Sequence, residues 1–383
     1  MKTLKYVLFA LIGRVILTPL RLLPVKPKRV LFVSFRGKQY SCNPRYVSEA
    51  LEGSGLELIW AFHEPEKFKY LEEKGIRVIG DRTMKFVLIA MTSRVIVTNT
   101  YFKPYLPRRR QTKYLRTWHG GGSYKRVTYP KGLKGFYIAL QQQGADLYLS
   151  SSKKFTRETI REAFGYKGEV LETGMPRNYA LVTGAWKEIG ERTKRELAIS
   201  EHIALYAPTY REDSVKNGYG LDVTALREAL TARFGGEWKI LFRGHHVVAN
   251  QNEMTGFDGD ESGYPDMMPL LAAADVLITD YSSSMWDMSL MKKPVFLYCT
   301  DIKSYVSERD FFTPISEWPF PISENNEELN KNIRLFDEKA YAENVSAHHE
   351  ALGNCETGTA AKEAAEWVKR MCEKQNPSKS PSP

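Results

Sequence analysis

The sequence predicts an α/β protein built from two Rossmann-like halves that face each other across a cleft. Short apolar segments typical of buried parallel strands alternate with helical segments in both halves of the chain. Polar motifs follow several of these apolar segments directly, and open parallel sheets bind their ligands at the carboxyl ends of strands. The length of 383 residues fits two or three domains.

The composition is basic, with 55 lysines and arginines against 45 acidic residues and a net charge of +10. Such a balance suits a nucleic acid, an anionic lipid or a phosphorylated substrate. Because we find neither a zinc-binding cysteine spacing nor a compact nucleic-acid motif, we expect no nucleic-acid partner. The four cysteines are widely separated, which fits free thiols in a reducing cytoplasm. The basic segment Pro107–Arg116 is either solvated surface or a patch that faces phosphate or membrane.

The first 26 residues are predicted to associate with a membrane. The segment from Tyr6 to Pro24 is apolar, but Arg14 and Arg21 interrupt it, and its longest uninterrupted run is shorter than the roughly 20 residues of a span. We therefore expect a helix in the membrane plane whose arginines reach phospholipid headgroups. A membrane span, a signal peptide and a helix packed on the protein are the alternatives.

Residues 27–178 are predicted to form the first Rossmann-like domain. The strand Lys28–Phe35 opens it and is followed by a turn at Gly37 between two cations. Later strands alternate with helices, as expected for a parallel sheet. They are placed at Leu56–Phe62, Arg77–Ile79, Ser93–Thr98 and Asp146–Ser151.

Residues 179–372 are predicted to form the second Rossmann-like domain, and residues 373–383 a disordered tail rich in serine, proline and lysine. A final helix is expected within Asn354–Trp367. The strands are placed at Ile203–Ala207, Trp238–Phe242, Val276–Thr279 and Pro294–Tyr298.

The segment Leu115–Val127 carries the first candidate site motif. A strand ends at Trp118 and His119, and three glycines, a serine and two cations follow. The glycines are expected to let substrate approach the backbone, and the strand-end position favours catalysis by His119 over a structural role.

Arg243 and His245 form a second motif at the end of a predicted strand. They lie two residues apart, so on an extended chain their side chains point the same way. A guanidinium and an imidazole that converge at a strand end suit a phosphoryl centre.

A third motif follows the strand Val276–Thr279. Asp280 ends the strand, and three serines precede a helical segment. Unpaired backbone N–H groups beside serine hydroxyls favour an anion site for phosphate or pyrophosphate, with Ser282 and Ser283 as donors. The alternative is a simple helix cap.

Together these motifs resemble the CDP-glycerol glycerophosphotransferase family of teichoic acid synthesis, over about residues 28–368. The chain departs from the family pattern at Gly121-Gly122-Ser123, where Thr-Pro is frequent, and near Glu356, where Asp-Gly is frequent. Its length resembles the single-domain, primase-like members, and two facing Rossmann-like halves are the architecture known as GT-B. The matching motifs are, in order, Trp118-His119-Gly120, Gly174-Met175-Pro176-Arg177-Asn178, Tyr206 to Arg211, Arg243-Gly244-His245 and Ala274 to Ser283.

The resemblance implies transfer of glycerol phosphate from CDP-glycerol to a hydroxyl of an undecaprenyl-diphosphate-linked saccharide, with release of CMP, in wall teichoic acid synthesis. It implies His119 as the base for the hydroxyl, and Arg243 and His245 as groups that stabilise the charge on leaving CMP. It places the donor pyrophosphate on Ser282 and Ser283.

The remaining substrate-binding residues are predicted from the same motifs. Asp280 would orient a histidine, bind donor hydroxyls or cap its turn. No metal site or protein-bound cofactor is expected, because these side chains are mainly histidine, serine and arginine; a divalent cation can still arrive with the diphosphate. The other predicted substrate contacts are Thr209, Arg211, Gly120, Pro176, Arg177, Gly358 and Thr359.

The expected partners are CDP-glycerol, a lipid-linked saccharide and the anionic membrane surface, and the expected location is the cytoplasmic face of the cell membrane, as a peripheral protein. The alternatives are a CDP-ribitol or capsular-polymer phosphotransferase, a GT-B glycosyltransferase, and a membrane-surface scaffold that binds polyanions without turnover.

Overall fold

Two parallel sheets form the body of the protein, as predicted for its α/β class. The computed structural model describes residues 2–127, 131–142, 144–209, 220–244 and 256–374. The last helix continues to Glu373, and the rest of the predicted disordered tail, residues 375–383, lies outside the described residues.

In the part of the chain that the structure describes, the first sheet has seven parallel strands in the order β3-β2-β1-β4-β5-β6-β7. The strand order reverses between β1 and β4, and such a switch point leaves a crevice at the carboxyl ends of the strands. The strands are β1 (Lys26–Val33), β2 (Glu57–Phe62), β3 (Arg77–Gly80), β4 (Ser93–Thr98), β5 (Lys113–Arg116), β6 (Leu147–Leu149) and β7 (Glu169–Leu171).

Among the described residues, the second sheet has six parallel strands in the order β10-β9-β8-β11-β12-β13, and its switch point lies between β8 and β11. The short strands β10 and β13 are absent from the sequence analysis because two residues carry no periodicity. The strands are β8 (His202–Tyr206), β9 (Trp238–Phe242), β10 (Gly259–Asp260), β11 (Val276–Thr279), β12 (Val295–Tyr298) and β13 (Ile322–Ser323).

Helices connect the strands, and several begin at a side chain that accepts a hydrogen bond from the first turn. Thr83 accepts from the Phe86 amide, Asp222 from the Ala225 amide and Asn325 from the Glu328 amide. A π-helix occupies Phe155–Ala163. The α-helices are α1 (Lys2–Leu17), α2 (Cys42–Glu49), α3 (Met84–Thr92), α4 (Gly132–Gln142), α5 (Tyr179–Thr183), α6 (Trp186–Glu196), α7 (Val223–Phe234), α8 (Met267–Ala273), α9 (Ser284–Ser289), α10 (Ile302–Arg309), α11 (Asn326–Arg334), α12 (Glu338–Leu352) and α13 (Ala360–Glu373).

The terminal helix α13 packs on the first sheet, although the sequence analysis assigns its residues to the second domain. Ala364, Trp367 and Val368 are buried in one cluster with Val30 and Trp60. Helix α13 packs on the first sheet because its apolar face is buried against that sheet. Local sequence shows that the helix has an apolar face, but not which sheet covers it. The boundary predicted after residue 178 stays a prediction.

Helix α1 lies on the protein with much of its apolar surface exposed. Phe9 is 64% exposed and Val15 74% exposed. Together with the helical turn that follows, the segment Thr3–Leu22 is long and apolar enough to cross a membrane by length and composition, a test that signal sequences also pass. Arg14 turns inward, where its guanidinium donates to the carbonyl oxygens of Pro104 at 2.8 Å and Leu140 at 2.9 Å. The expectation that Arg14 reaches headgroups is therefore wrong, because these carbonyls bind it.

Candidate active site

A cleft of 460 Å³ lies where the carboxyl ends of the two sheets meet, and it is the candidate active site. Phe35, after β1, and Thr209, after β8, both line it, so both switch points open into one space. A larger depression of 780 Å³ beside α12 contains none of the predicted site residues in its described lining. We choose the smaller cleft because strand-end polar groups from both sheets converge there.

The structure brings most of the predicted site residues to this cleft. Arg211 and His245 lie outside the described residues. The lining does not include Asp280, Pro176, Gly358 or Thr359 among the residues described. The predicted residues that do line the cleft are His119, Gly120, Arg177, Thr209, Arg243, Ser282 and Ser283.

His119 is oriented by the backbone of the neighbouring strand. Its Nδ1 lies 2.8 Å from the carbonyl oxygen of Asn99, directly after β4. A carbonyl only accepts, so Nδ1 carries the hydrogen, and in the neutral ring Nε2 carries the lone pair. The Asn99 side chain is itself held, by the Phe35 amide at 2.9 Å and Ser34 Oγ at 3.2 Å. This tautomer suits a general base.

The backbone around His119 is strained. Trp118 has φ 54°, and three other residues that line the cleft, Phe35, Cys42 and Ser123, have φ between 43° and 63°. Left-handed conformations cost such residues about 1–3 kcal/mol each and concentrate at functional sites. The strain lies in the loops that follow the strands of the first sheet.

The glycines after His119 have different roles. A Cβ on Gly120 would lie 3.6 Å from Ser283, so the first-half loop meets the serine motif of the second half here. A Cβ on Gly121 would lie 2.4 Å from Cδ1 of Trp286, and one on Gly122 would lie 2.8 Å from that ring. Gly121 and Gly122 therefore pack closely against Trp286, whereas Gly120 and Gly121 both line the cleft.

We expect Gly121→Ala to lower the free energy of unfolding by about 1–3 kcal/mol, because the added methyl group overpacks a fully buried indole. Urea unfolding followed by fluorescence measures the change. Gly263→Ala is the matched control, since a Cβ there meets no heavy atom of the described residues within 4 Å. Equal stability of the two variants would show that the Trp286 contact is not tight.

The serine motif lines the cleft opposite His119. Ser284 begins α9, and both its amide and its hydroxyl donate to Ser282 Oγ, at 3.3 Å and 3.0 Å. Ser283 lies next to Gly120 and makes no side-chain cap bond to the helix. Ser282 therefore binds the first amide of the helix, as the cap alternative expects, whereas Ser283 lines the cleft without a cap bond.

Asp280 lies behind the cleft lining and binds Thr209, which lines the cleft. Its side chain is buried and accepts from the Thr209 hydroxyl at 2.6 Å and from the Thr209 amide at 3.0 Å. A buried carboxylate requires such donors, so Asp280 joins the two strand ends of the second switch point. It positions Thr209, and Thr209 is the member of the pair that lines the cleft.

Arg243 brings the positive charge. Its Nη1 donates to the carbonyl oxygen of Glu261 at 2.8 Å. Burial lowers the pKa of its guanidinium, and the carboxylates of Asp266 and Glu261 act in the opposite direction. Asp266 also pairs with Arg45 of the first half at 3.4 Å, so two arginines flank one buried acid at the cleft wall.

Arg177 lines the cleft, but its described bonds are to the protein. Its Nη2 donates to both carboxylate oxygens of Asp287, at 3.0 Å and 2.9 Å, and its Nη1 donates to the carbonyl oxygen of His119 at 2.7 Å. Burial raises the pKa of Asp287. Burial alone would lower the pKa of the Arg177 guanidinium, but the Asp287 carboxylate and Cys42 together more than offset it, so this pKa is raised. The two-bond geometry is that of an ion pair, so we assign both groups as charged.

Gly358 and Thr359 form the turn that begins α13. Gly358 has φ 80° and packs against Thr183, and Thr359 binds Glu363 in the first turn of the helix. These contacts are those of a helix start on the outside of the cleft. The motif match alone suggested nucleotide contacts because a Gly-Thr turn has the same local sequence in either role.

Four residues at or beside the cleft were not predicted from the sequence: Tyr124, Asp287, Trp286 and Glu356. Tyr124 follows the glycines yet is buried in the core of the second half, where its hydroxyl lies 3.1 Å from His348 Nε2. Only the acidic and aromatic residues inside the otherwise apolar segment after the serines could have indicated Trp286 and Asp287. Within the described ranges, no group of three or more histidine, cysteine or acidic residues could hold a metal ion.

The comparisons with known proteins agree with these motifs. The family model described as "CDP-Glycerol:Poly(glycerophosphate) glycerophosphotransferase" matches residues 16–368. The teichoic acid poly(glycerol phosphate) polymerase of Bacillus subtilis (strain 168) is 31% identical over 85% of this chain, which spans 46% of that relative's length. The teichoic acid glycerol-phosphate transferase of Staphylococcus aureus (strain NCTC 8325 / PS 47) is 30% identical, over 94% of this chain and 97% of the relative.

A solved structure of the wall teichoic acid polymerase TagF is similar to this chain, with a TM-score of 0.80 and 25% identity. The match covers 97% of this chain and 98% of that chain. The family model, the transferase relative and the ordered motifs around the cleft agree, and the chain belongs to the CDP-glycerol:poly(glycerophosphate) glycerophosphotransferase family of enzymes.

Proposed function

We propose that the protein transfers glycerol phosphate from CDP-glycerol to a hydroxyl of a lipid-linked saccharide and releases CMP. The observation that carries this proposal is the cleft itself, in which His119 from one sheet faces Ser283 and Arg243 from the other. We further infer a GT-B arrangement, with the acceptor on the first sheet and the donor on the second.

In this mechanism His119 Nε2 accepts the proton of the acceptor hydroxyl. The oxygen attacks the β-phosphorus of CDP-glycerol, a new P–O bond forms, and the bond from that phosphorus to the CMP oxygen breaks. The negative charge that develops on CMP is stabilised by Arg243 and by donors at Ser282 and Ser283. His245 remains a proposed second stabilising group, two residues after Arg243.

The other donor-side roles follow from the supports of the cleft. Asp280 fixes Thr209 so that the Thr209 loop borders the donor, and Gly120 allows the first-half loop to approach Ser283. We propose no metal held by side chains of the protein; a divalent cation would arrive with the donor diphosphate and offset its charge.

The donor is tested by incubating purified protein and a lipid-linked disaccharide with CDP-glycerol, CDP-ribitol or UDP-sugars. We expect CMP release with CDP-glycerol and a product heavier by one glycerol phosphate per transfer. The same product mass distinguishes a single addition from chain growth. Turnover only with a UDP-sugar would support the glycosyltransferase alternative, and turnover with none of the donors the scaffold alternative.

We also propose a peripheral position on the cytoplasmic face of the cell membrane. Helices α1 and α4 pack together through Tyr6 and Tyr137, whose ring centroids are 5.9 Å apart. Both helices expose apolar side chains, including Phe9 on α1 and Phe136 on α4. Arg36, exposed after β1, lies over the Tyr101 ring at 5.9 Å and is near Tyr137, so positive charge lies beside this apolar face.

We expect the triple variant Phe9→Ser/Val15→Ser/Ile16→Ser to bind anionic vesicles at least about tenfold more weakly, because it removes exposed apolar area without touching Arg14. Co-sedimentation measures the loss. Leu335→Ser is the control, since Leu335 is 71% exposed on another part of the surface. Undiminished sedimentation of the triple variant would contradict this proposal.

A further inference from the structure

Glu356 joins three elements that surround the His119 loop. Its Oε2 accepts from the Met175 amide at 2.9 Å, and its Oε1 accepts from Asn178 Nδ2 at 2.9 Å and from Trp286 Nε1 at 3.1 Å. Met175 and Asn178 flank Arg177, whereas Trp286 belongs to α9. One carboxylate therefore bonds both halves of the protein.

The partners of Glu356 contact the His119 loop from two sides. Trp286 packs directly on the backbone of Gly121, so a displaced indole moves the segment just after His119. Arg177, held in the turn between Met175 and Asn178, donates to the carbonyl oxygen of His119. Glu356 does not line the cleft among the described residues, so it acts on the site only through these neighbours.

The segment that carries Glu356 is itself rigid. The Lys153 amide donates to the Gly353 carbonyl oxygen at 2.8 Å, and the Cys355 amide donates to the Ser151 carbonyl oxygen at 2.9 Å. The Thr357 hydroxyl donates to the carbonyl oxygen of Thr173 at 2.9 Å. These bonds join the segment to the residues that follow β6 and β7. The backbone of Glu356 is therefore held in place while its carboxylate binds Trp286.

We propose that Glu356 is a positioning residue for the transfer reaction: through Trp286 and the Met175–Asn178 turn, it sets the place of His119 relative to Ser283. This inference rests on the proposed function for its kinetic consequences. Misplacement of a catalytic group by about 1 Å can cost about 10²-fold in rate, so a residue outside the cleft can matter this much.

The ionised form is the one that fits the partners, since all three are donors and a carboxylate accepts only. A proton on either oxygen would face an N–H group and break a bond. Burial raises the pKa of Glu356 to about 7; the Met175, Trp286 and Asn178 hydrogen bonds oppose this, and the charge of Asp287 adds to it. The other charged or titratable groups around the network are Arg177, Cys355, Glu172, Lys153 and His349, whose ring lies 4.7 Å from that of Trp286.

Ionisation of Glu356 as pH rises is expected to lower the stability of the fold but to raise activity. Because the folded-state pKa is raised from 4.5 to about 7, Glu356 contributes stability that is complete below pH 4.5 and lost as pH rises through 7. The ionised form that organises the site is therefore the less stable one. This separates a positioning role from a structural role, which would require the substitution to destabilise the protein.

The first test measures kcat, KM and Tm of full-length Glu356→Gln at pH 8 with CDP-glycerol and a lipid-linked disaccharide. We expect kcat to fall by about 10- to 100-fold, KM for CDP-glycerol to stay within about twofold, and Tm to stay within about 3 °C. The acidic limb of log kcat should lose about one proton of slope relative to wild type. Glu356→Asp, which keeps the carboxylate, should recover part of kcat.

The second test does not depend on the donor. Hydrogen exchange in peptides that cover residues 117–127 should be about tenfold faster in Glu356→Gln, with unchanged exchange in α6 as internal reference. Glu366 is an exposed acid on α13, and Glu366→Gln is the matched control. It should change neither kcat nor the exchange of residues 117–127. Wild-type protein that releases no CMP would contradict the proposed function, while the exchange result would still decide the positioning role.

Two results would overturn the proposal. One is a Glu356→Gln variant with unchanged exchange around His119, and the other is a loss of kcat accompanied by an equal loss of folded protein and no recovery in Glu356→Asp.

Discussion

His119→Ala should lower kcat by about 10²–10⁴-fold, the usual contribution of a general base, while KM for CDP-glycerol changes little. The physical reason is that a hydroxyl is a poor nucleophile, and in the proposed mechanism its proton goes to Nε2, the ring nitrogen that does not contact the Asn99 carbonyl. Steady-state CMP release measures the effect.

His202→Ala is the control for His119. His202 is a half-exposed histidine that pairs with Asp275 at 3.5 Å, at the start of β8 and away from the carboxyl edge. The His202→Ala substitution removes an imidazole that lies away from the cleft, so activity should remain. If His119→Ala retains the wild-type rate, the assigned mechanism is wrong, whatever the family.

Arg177→Met should lower the free energy of unfolding by about 3–5 kcal/mol, because it leaves the Asp287 carboxylate buried without its partner. Both side chains of the pair are at most 4% exposed, so water does not replace the lost bonds. Chemical unfolding at pH 8 measures the loss. Activity should fall as well, since methionine cannot donate to the carbonyl oxygen of His119.

The double variant Arg177→Met/Asp287→Leu separates the two roles of Arg177. It removes both buried charges, so stability should return to within about 1–2 kcal/mol of wild type, whereas kcat should stay low. Arg192→Met, in an exposed pair with Glu196 at 3.7 Å, is the control and should cause no measurable change. Full recovery of kcat in the double variant would show that the bond to His119 is dispensable.

The place of His119 and Ser283 in the site could be predicted from the sequence, since each follows an apolar strand and strand ends converge in parallel sheets. The same reasoning placed Thr209 and Arg243 at the cleft. The family motif, rather than a strand-end position, predicted Arg177 as a substrate contact. Arg177 does line the cleft, but its guanidinium also binds Asp287, a partner 110 residues away. Local sequence cannot show that Arg177 and Asp287 pair, because the elements packed around a charge decide whether it is buried and which partner it meets.

Helix α12 shows the same limit for the fold. The sequence analysis leaves Glu338–Leu352 unassigned, although its N-terminal cap Asp337 accepts from the Lys339 and Ala340 amides at 2.9 Å. The helix buries Tyr341 and Val345 in the same core cluster as Phe296 of β12 and Ile333 of α11. Tertiary packing, rather than periodicity, stabilises it.

By itself the sequence determined the α/β class, the parallel strands, the family and the polar groups at the strand ends, because these depend on short apolar runs and local motifs. Only the tertiary structure decided which polar groups face the cleft and which support it. Asp280 turns to Thr209, and Glu356 bonds Trp286, because a carboxylate removed from water takes the nearest donors that the fold supplies. Those donors come from residues far apart in the chain, so they become neighbours only when the two sheets have formed and met.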